Sequence, residues 1–430
     1  MQTNLSLLTL LFLTLPLSAQ WEPGSVYREY TWMMPEGGEA FLRVGGRYGY
    51  RSQVKLPPEL QQGDQLILPE AIDLEGAIRA EVSLEKVQSH EDSRDLTISI
   101  NDHAPIPVPE PAWIPEPQTE YMYHTELTVP IPLEQLTDVA PIRFSMALDT
   151  AQRWGWPQNV FYGLTFRIYY APDLRLGSLP QPTWPTLAKL PVQIPAKTYI
   201  SLGEAAGAMQ GVKAVDYIFV GKDIDWSGRG VQQRKHWQTH RGKPHHILGH
   251  STDADHNFAV AWDTEWLPEQ ESFGVQARVL GEDGKYRVSE VQDGLTLAPR
   301  PYNVYVYESG PAPRNWVTRS GEFEQTIRID GAMVDEASAL QLSWLSWSPC
   351  YSNGVYLNGH LIWDRTEDCY VVGMHEPVYE GLEVKYLQEG ENVISTSLTP
   401  LFQGQMVHGM EVQWPGIQLK VKYGGGVGTH

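Results

Sequence analysis

The stretch Leu164-Thr165-Phe166-Arg167-Ile168-Tyr169 alternates apolar and polar or charged side chains. Successive side chains of a β-strand point to opposite faces, so Leu164, Phe166 and Ile168 share one face. Strict alternation of this kind is typical of a strand in a sandwich. The stretch therefore predicts a β-strand with one apolar face.

Short runs of the same kind recur along the chain between turn residues, whereas long helical patterns are nearly absent. The runs are Leu96 to Ile100, Ile142 to Leu148, Gly274 to Leu280, Val304 to Tyr307, Leu340 to Trp344 and Gln418 to Tyr423. The 38 glycines and 32 prolines are scattered rather than repeated. This organisation predicts an all-β protein built from sandwiches.

The length of 430 residues suggests two or three domains. Residues 172–198 contain six prolines and little periodicity, which predicts an extended connector. A softer boundary follows Tyr307, where the sequence continues as Glu308-Ser309-Gly310-Pro311. The predicted units are 21–171, 199–308 and 311–424.

The two outer units carry similar sequence patterns. In the first unit, Ile98 to His103 is followed much later by Tyr162 to Tyr169. In the third unit, Val355 to His360 is followed in the same way by Trp414 to Val421. Each pair predicts a strand, an asparagine turn suited to positive φ, and a closing apolar strand. Internal duplication is the preferred interpretation, and independent use of common hairpin chemistry is the alternative.

The N-terminus predicts export. Leu5 to Leu17 is largely apolar, and Leu17-Ser18-Ala19 offers small residues for cleavage, so residues 1–19 are expected to be a signal peptide. A membrane anchor is the alternative, although the run is short for a span. We expect a secreted, periplasmic or cell-surface protein with no membrane span after signal removal.

The formal net charge is −20. Such a surface repels nucleic acid and anionic membranes, so neither is expected as a partner. The two cysteines, Cys350 and Cys369, are predicted to form a disulfide because export permits one. Two buried thiols are the alternative.

Two motifs near the C-terminus resemble those of a known family. Gly354 to Leu361 and Leu387 to Ile394 resemble galactose-binding-like domains, which are jelly rolls found as sugar-binding or accessory modules of secreted glycoside hydrolases. The middle unit, with Phe258 to Trp262, more loosely resembles an immunoglobulin or fibronectin-type sandwich. The resemblance implies two jelly-roll, galactose-binding-like β-sandwiches flanking an immunoglobulin-like β-sandwich. Since these motifs are structural, they indicate a fold rather than a ligand.

Aromatic residues suggest a carbohydrate partner. The chain has 15 tryptophans, and indole rings stack on the apolar faces of sugars. The candidates for stacking are Trp154, Trp156, Trp347 and Trp363. Packing in a core is the alternative for each.

A histidine-rich segment, residues 236–256, contains six of the 13 histidines. Imidazoles suit metal binding or acid–base chemistry, so His240 and His246 are the catalytic candidates. Arg241 is the candidate for binding an anionic sugar such as a uronate. The spacing matches no standard metal motif, and a solvated loop with one or two structural histidines is the alternative.

Asp253, Asp255 and Asn257 have the opening spacing of a calcium loop. Phe258 stands where such a loop needs glycine, so any site would be irregular. The expectation is a structural Ca²⁺ at most, with no other cofactor.

Three functions follow from these observations. The first is a secreted, non-catalytic carbohydrate-binding or accessory protein acting on polysaccharide. The second is a polysaccharide lyase or glycoside hydrolase with its site at a domain junction near the histidine-rich segment. The third is a structural cell-envelope assembly protein.

Overall fold

A computed structural model gives the architecture. It describes residues 21–35, 41–44, 55–88, 95–109, 123–148, 159–172, 186–203, 211–221, 239–240, 242–244, 247–308, 323–347, 352–364, 374–375, 378–398, 401–402, 405–406 and 411–424. The predicted signal peptide, Cys350 and Cys369 lie outside these ranges. Within them, no helix is long and apolar enough to cross a membrane.

Strands make up most of the structure, which confirms the predicted all-β class. The N-terminal sandwich contains β1 (Val26–Met33), β2 (Leu42–Val44), β3 (Gln61–Gln62), β4 (Gln65–Ile67), β5 (Ala77–Gln88), β6 (Leu96–Ile100), β7 (Ile106–Pro107), β8 (Tyr123–Ile131), β9 (Arg143–Leu148) and β10 (Asn159–Tyr170). The middle unit contains β11 (Gln193–Ile194), β12 (Lys197–Ile200), β13 (Val212–Val220), β14 (Thr239–His240), β15 (Lys243–Pro244), β16 (Gly249–Ser251), β17 (Val260–Asp263), β18 (Phe273–Gly281), β19 (Tyr286–Val288) and β20 (Gln292–Leu297).

The C-terminal sandwich contains β21 (Tyr302–Glu308), β22 (Phe323–Ile329), β23 (Ala337–Trp347), β24 (Ser352–Leu357), β25 (His360–Trp363), β26 (Met374–His375), β27 (Val378–Leu382), β28 (Gly390–Leu398), β29 (Leu401–Phe402), β30 (Gln405–Met406) and β31 (Glu411–Gly424). A short helix, α1 (Gly331–Glu336), precedes β23, and 3₁₀ turns cover Leu133–Gln135, Ala254–His256 and Val384–Tyr386. Because β21 pairs with β31 along its whole length, this sandwich begins near Tyr302, before the predicted boundary.

The alternating stretch Leu164 to Tyr169 lies in β10, at the centre of the N-terminal sandwich. As predicted, Leu164, Phe166 and Ile168 share one face and are buried in the sandwich core. The opposite face of β10 is buried as well, because Thr165 and Arg167 are also inaccessible to solvent. A second layer of structure therefore covers the polar face.

The two outer sandwiches have the same strand order. In the N-terminal sandwich, one sheet runs β1-β10-β5-β8 and the other runs β4-β9-β6-β7. In the C-terminal sandwich, the corresponding sheets run β21-β31-β23-β27 and β22-β28-β24-β25. Each of these eight strands has a counterpart at the same position in the chain order of the other sandwich. In both sandwiches a 3₁₀ turn precedes the seventh of the eight strands.

The same asparagine turn occurs at the same place in both sandwiches. Asn101 and Asn358 follow β6 and β24 with φ of 48° and 51°. In each, the backbone N–H donates to a strand carbonyl, Oδ1 accepts from the N–H of that same strand residue, and Nδ2 donates to the last carbonyl of a 3₁₀ turn. Three equivalent hydrogen bonds and one strand order favour duplication over independent hairpins.

The middle unit is continuous with the N-terminal sandwich rather than separate from it. Strand β1 pairs with β10 on one edge and with β19 on the other, so a single 11-stranded sheet extends through both. The second half of the predicted connector belongs to this unit, since Leu190 and Ile194 lie in its core. On its other side, Glu265 Oε1 lies 2.5 Å from Lys422 Nζ of the C-terminal sandwich.

Candidate functional site

The polar face of the shared sheet carries a row of alternating charges. We call Glu81, Arg167, Glu29, Arg278 and Asp216 the charged row; they lie on β5, β10, β1, β18 and β13. Glu81 and Glu29 are the register partners of Arg167 on its two sides. Asp216 is the register partner of Arg278. Neighbouring strands therefore place opposite charges side by side.

Short contacts connect the row across the two units. Glu29 Oε1 accepts from Arg167 Nε at 2.9 Å and from Arg278 Nη1 at 2.9 Å. Arg278 Nε donates to Asp216 Oδ2 at 3.0 Å. At the other end, Arg167 Nη1 lies 3.5 Å from Glu81 Oε1. Glu29 is thus the acceptor shared by the N-terminal sandwich and the middle unit.

The charged row is buried. The side chains of Arg167 and Arg278 are 0% and 1% exposed, and those of Glu29 and Asp216 are 7% and 6% exposed. Burial disfavours the Arg278 cation, but Glu29, Tyr27 and Asp216 outweigh burial and raise the pKa of Arg278 above its ordinary value. Arg278 therefore stays charged and paired.

Aromatic side chains cover the row. The Trp21 ring lies over both guanidinium groups, 4.3 Å from Arg278 Cζ and 5.2 Å from Arg167 Cζ. Tyr286 is 4.0 Å from Arg278 Cζ. Burial raises the pKa of Tyr27, which packs in the same cluster as Trp21. Such stacking is stronger where water is excluded.

The histidine-rich segment crosses this face of the sheet. Strands β14 and β15 form a small hairpin, and the N–H of Gly242 at its turn donates to Glu85 Oε1 at 3.0 Å. Gly242 has φ of +72°, and a Cβ there would lie 3.3 Å from Met33 Cε. Side chains of His240 and its hairpin neighbours lie outside the description, as do Arg241 and His246 entirely.

One histidine of the segment reaches the charged row directly. His250 Nδ1 lies 2.7 Å from Asp216 Oδ1, and the two residues are register partners on β16 and β13. Because Arg278 holds the other oxygen of Asp216, that carboxylate is fixed on both sides. The His250 side chain is 54% exposed, so the row ends at the surface there.

The predicted tryptophan platform is not assembled by the described residues. Trp363 was expected to stack on sugar, but it is only 9% exposed and packs in the core of the C-terminal sandwich. That prediction is wrong because Trp363, at the end of β25, is the buried residue of a strand that begins exposed at His360. The Trp347 backbone lies in β23, its side chain is outside the description, and Trp154 and Trp156 lie outside the described ranges.

The predicted calcium loop is a capped turn. Asp253 accepts from the His256 backbone N–H, and its Oδ2 lies 2.7 Å from His256 Nδ1. Asn257 continues the chain with φ of 53°. Among the described residues, no group of three or more acidic, histidine or cysteine side chains is placed to hold a metal ion. Both carboxylate oxygens of Asp253 are thus engaged within the turn.

Comparison with known proteins adds little at the sequence level, where no family model and no curated protein matches. Three solved structures illustrate the structural likeness. A glycoside hydrolase family 86 enzyme in complex with neoagarooctaose has 10% identity and a TM-score of 0.21, with 53% of this chain and 32% of that one covered. A β-porphyranase of the same family, from the human gut bacterium Bacteroides plebeius, has 12% identity and a TM-score of 0.20, covering 53% and 35%. The plant receptor-like kinase FER has 10% identity and a TM-score of 0.18, covering 84% and 81%. The chain spans about a third of the length of the two glycoside hydrolase structures, and these scores assign it to no family.

Proposed function

We propose that this protein is a secreted, non-catalytic carbohydrate-binding or accessory protein that acts on polysaccharide. The observation that carries the proposal is the repeated strand order of the two outer sandwiches. Two four-stranded sheets connected in this order are the arrangement of a jelly roll, an architecture that lectin domains use. The motifs at 354–361 and 387–394, which resemble those of galactose-binding-like domains, include parts of β24, β25 and β28 in the C-terminal sandwich.

The described surfaces favour the edges of the sandwiches as the place of binding. The polar face of the shared sheet is filled by the charged row, whose arginines have almost no exposure. A sugar therefore cannot reach that face without displacing paired buried charges, which is costly. Sandwich edges and strand ends remain as places for binding, and Trp154 and Trp156, which the sequence predicts to stack on sugars, are retained as candidates.

The test is affinity gel electrophoresis of the mature protein against a panel of soluble polysaccharides. Retardation by at least one polysaccharide is expected, and Trp156→Ala should reduce it. Tyr199→Ala is the matched control, because Tyr199 is an exposed aromatic on β12 that the sequence does not single out for stacking. Lack of retardation by every polysaccharide would overturn the proposal, and equal loss in both variants would remove the stacking role of Trp156.

A second candidate is a polysaccharide lyase or glycoside hydrolase. It is favoured by the Gly242–Glu85 hydrogen bond, which holds the histidine-rich hairpin against the junction of two units. Release of soluble products from uronate polymers would support it, together with loss of that release in His240→Ala or His246→Ala. The absence of any product from the wild-type protein would exclude it.

A further inference from the structure

We propose that His250 binds the ligand directly, with Nε2 accepting a hydrogen bond from a hydroxyl group of a neutral polysaccharide. This inference rests on the proposed carbohydrate-binding function and names a residue and a ligand class for it. It is carried by the contact between His250 and Asp216 at the exposed end of the charged row.

The contact fixes which nitrogen faces outward. An ionised carboxylate can only accept hydrogen bonds, so Asp216 Oδ1 accepts from Nδ1–H of His250 at 2.7 Å. A neutral ring with its proton on Nδ1 presents Nε2 as an acceptor on the opposite side. The half-exposed side chain places that acceptor at the protein surface.

The support behind His250 is unusually extensive for a surface histidine. Asp216 is held at its second oxygen by Arg278, which in turn contacts Glu29 of the neighbouring unit. A carboxylate behind an imidazole fixes the orientation of the ring, as it does for histidines that bind metals. Polar groups whose orientation is fixed in this way hold a bound ligand in a defined orientation.

A second histidine in the same segment provides the contrast. His256 lies 2.7 Å from Asp253, the same distance as in the His250 pair. In that pair, however, the two side chains are 77% and 53% exposed and three residues apart on one turn. An exposed local pair of this kind contributes little and gives no fixed orientation. His256 is therefore a matched control.

The charges of the row favour a neutral ligand. The row ends at Asp216, whose carboxylate lies directly behind His250. The chain as a whole has a net charge of −20. A uronate carboxylate would meet repulsion here, whereas a hydroxyl group would donate to Nε2 without it.

The experiment measures the affinity of the mature protein for a soluble galactan, a soluble xylan and polygalacturonate by isothermal titration calorimetry at neutral pH. Wild-type protein should bind a neutral polysaccharide more tightly than polygalacturonate. His250→Ala should lose about tenfold in affinity, as expected for one hydrogen bond to a ligand. His250→Gln, whose amide oxygen reaches the position of Nε2, should keep part of it, and His256→Ala should match wild type.

The outcomes separate this inference from the function on which it rests. If the wild-type protein binds and His250→Ala binds equally well, the inference is overturned while the carbohydrate-binding function stands. Equal losses in His250→Ala and His256→Ala would also overturn it, as would tighter binding of polygalacturonate. If the wild-type protein binds none of the three and no polysaccharide of the wider panel, the proposed function itself fails.

Discussion

Arg278 donates to Glu29 at 2.9 Å, although 249 residues separate them along the chain. Their strands belong to different units of the 11-stranded sheet, which are joined by the pairing of β1 with β19. The paired charges join the middle unit to the N-terminal sandwich at a fixed register. Because removal of one partner leaves the others uncompensated, the charged row makes the two units depend on each other.

Arg278→Ala should therefore destabilise the protein strongly. The change leaves Glu29 and Asp216 buried without their shared cation, and the expected loss is about 3–5 kcal/mol in the free energy of unfolding. Urea denaturation followed by tryptophan fluorescence measures it. Lys197→Ala is the control, since Lys197 and Asp263 form an exposed pair at 3.8 Å worth at most about 1 kcal/mol. Similar losses in the two variants would contradict the role of the charged row.

The asparagine turns give a second prediction. Asn101→Ala and Asn358→Ala should each cost about 1–3 kcal/mol, because each leaves a strand N–H and a turn carbonyl without its side-chain partner. Asn358→Gly separates the causes, since glycine keeps the positive φ and loses only the side-chain bonds. Urea unfolding of all three variants checks the prediction. A cost in only one sandwich would contradict the equivalence of the turns.

The strands could be predicted from the sequence because alternation is a local signal. Leu164, Phe166 and Ile168 share a face in the structure as the alternation indicates. The short helix α1 was not predicted, since six residues are too few to show a helical period. The sequence suggested a boundary after Tyr307, whereas the pairing of β21 with β31, which sequence does not show, links Tyr302–Glu308 to the C-terminal sandwich.

The charged row could not be predicted, because its members come from five strands distant in sequence. The sequence feature that could have indicated the charged row is Arg167, a charged residue between the apolar positions Phe166 and Ile168 of a strand. On its own it reads as a solvent-facing residue, and only the covering by Trp21 reveals burial. The sequence drew attention to the histidine-rich segment, but its spacing could not single out His250, whose contact with Asp216 depends on the pairing of β16 with β13.

The burial of Trp363 gives a third prediction. Trp363→Ala should destabilise the C-terminal sandwich by about 3–5 kcal/mol, because it removes a large side chain from the core. Thermal unfolding measures the loss, with the exposed Tyr199→Ala as the control that should behave like wild type. A Trp363→Ala protein of unchanged stability that no longer binds polysaccharide would restore the stacking role.

Asp283 gives a prediction about pH. Arg287 Nη2 and Nη1 donate to its two carboxylate oxygens at 2.7 and 3.1 Å. Burial acts against the charged carboxylate, but the Arg287 bonds outweigh it and lower the pKa of Asp283 below its ordinary 3.8. A lowered folded pKa means that the pair's stabilisation is complete above 3.8 and is lost as pH falls through the folded value.

Asp283→Asn should therefore be less stable than wild type at neutral pH and should lose less on acidification. Urea midpoints measured between about pH 5 and about pH 2 test this. The exposed Asp255→Asn serves as the mutational control. An Asp283→Asn protein whose acid sensitivity equals that of wild type would show that the pair does not contribute.

The last prediction concerns calcium. Asp253 is already engaged by the backbone and ring of His256, and the next residues, Asn257 and Phe258, have positive φ of 53° and 56°. Phe258 is fully buried, and its carbonyl accepts from the Tyr217 hydroxyl at 3.0 Å, so protein contacts hold the turn in place. A calcium ion would have to break the Asp253–His256 contact and still find further oxygen ligands. The melting temperature of the wild-type protein should thus be the same in calcium chloride and in EDTA. A rise with calcium that EDTA reverses and Asp253→Asn abolishes would mean that the turn reorganises around the ion.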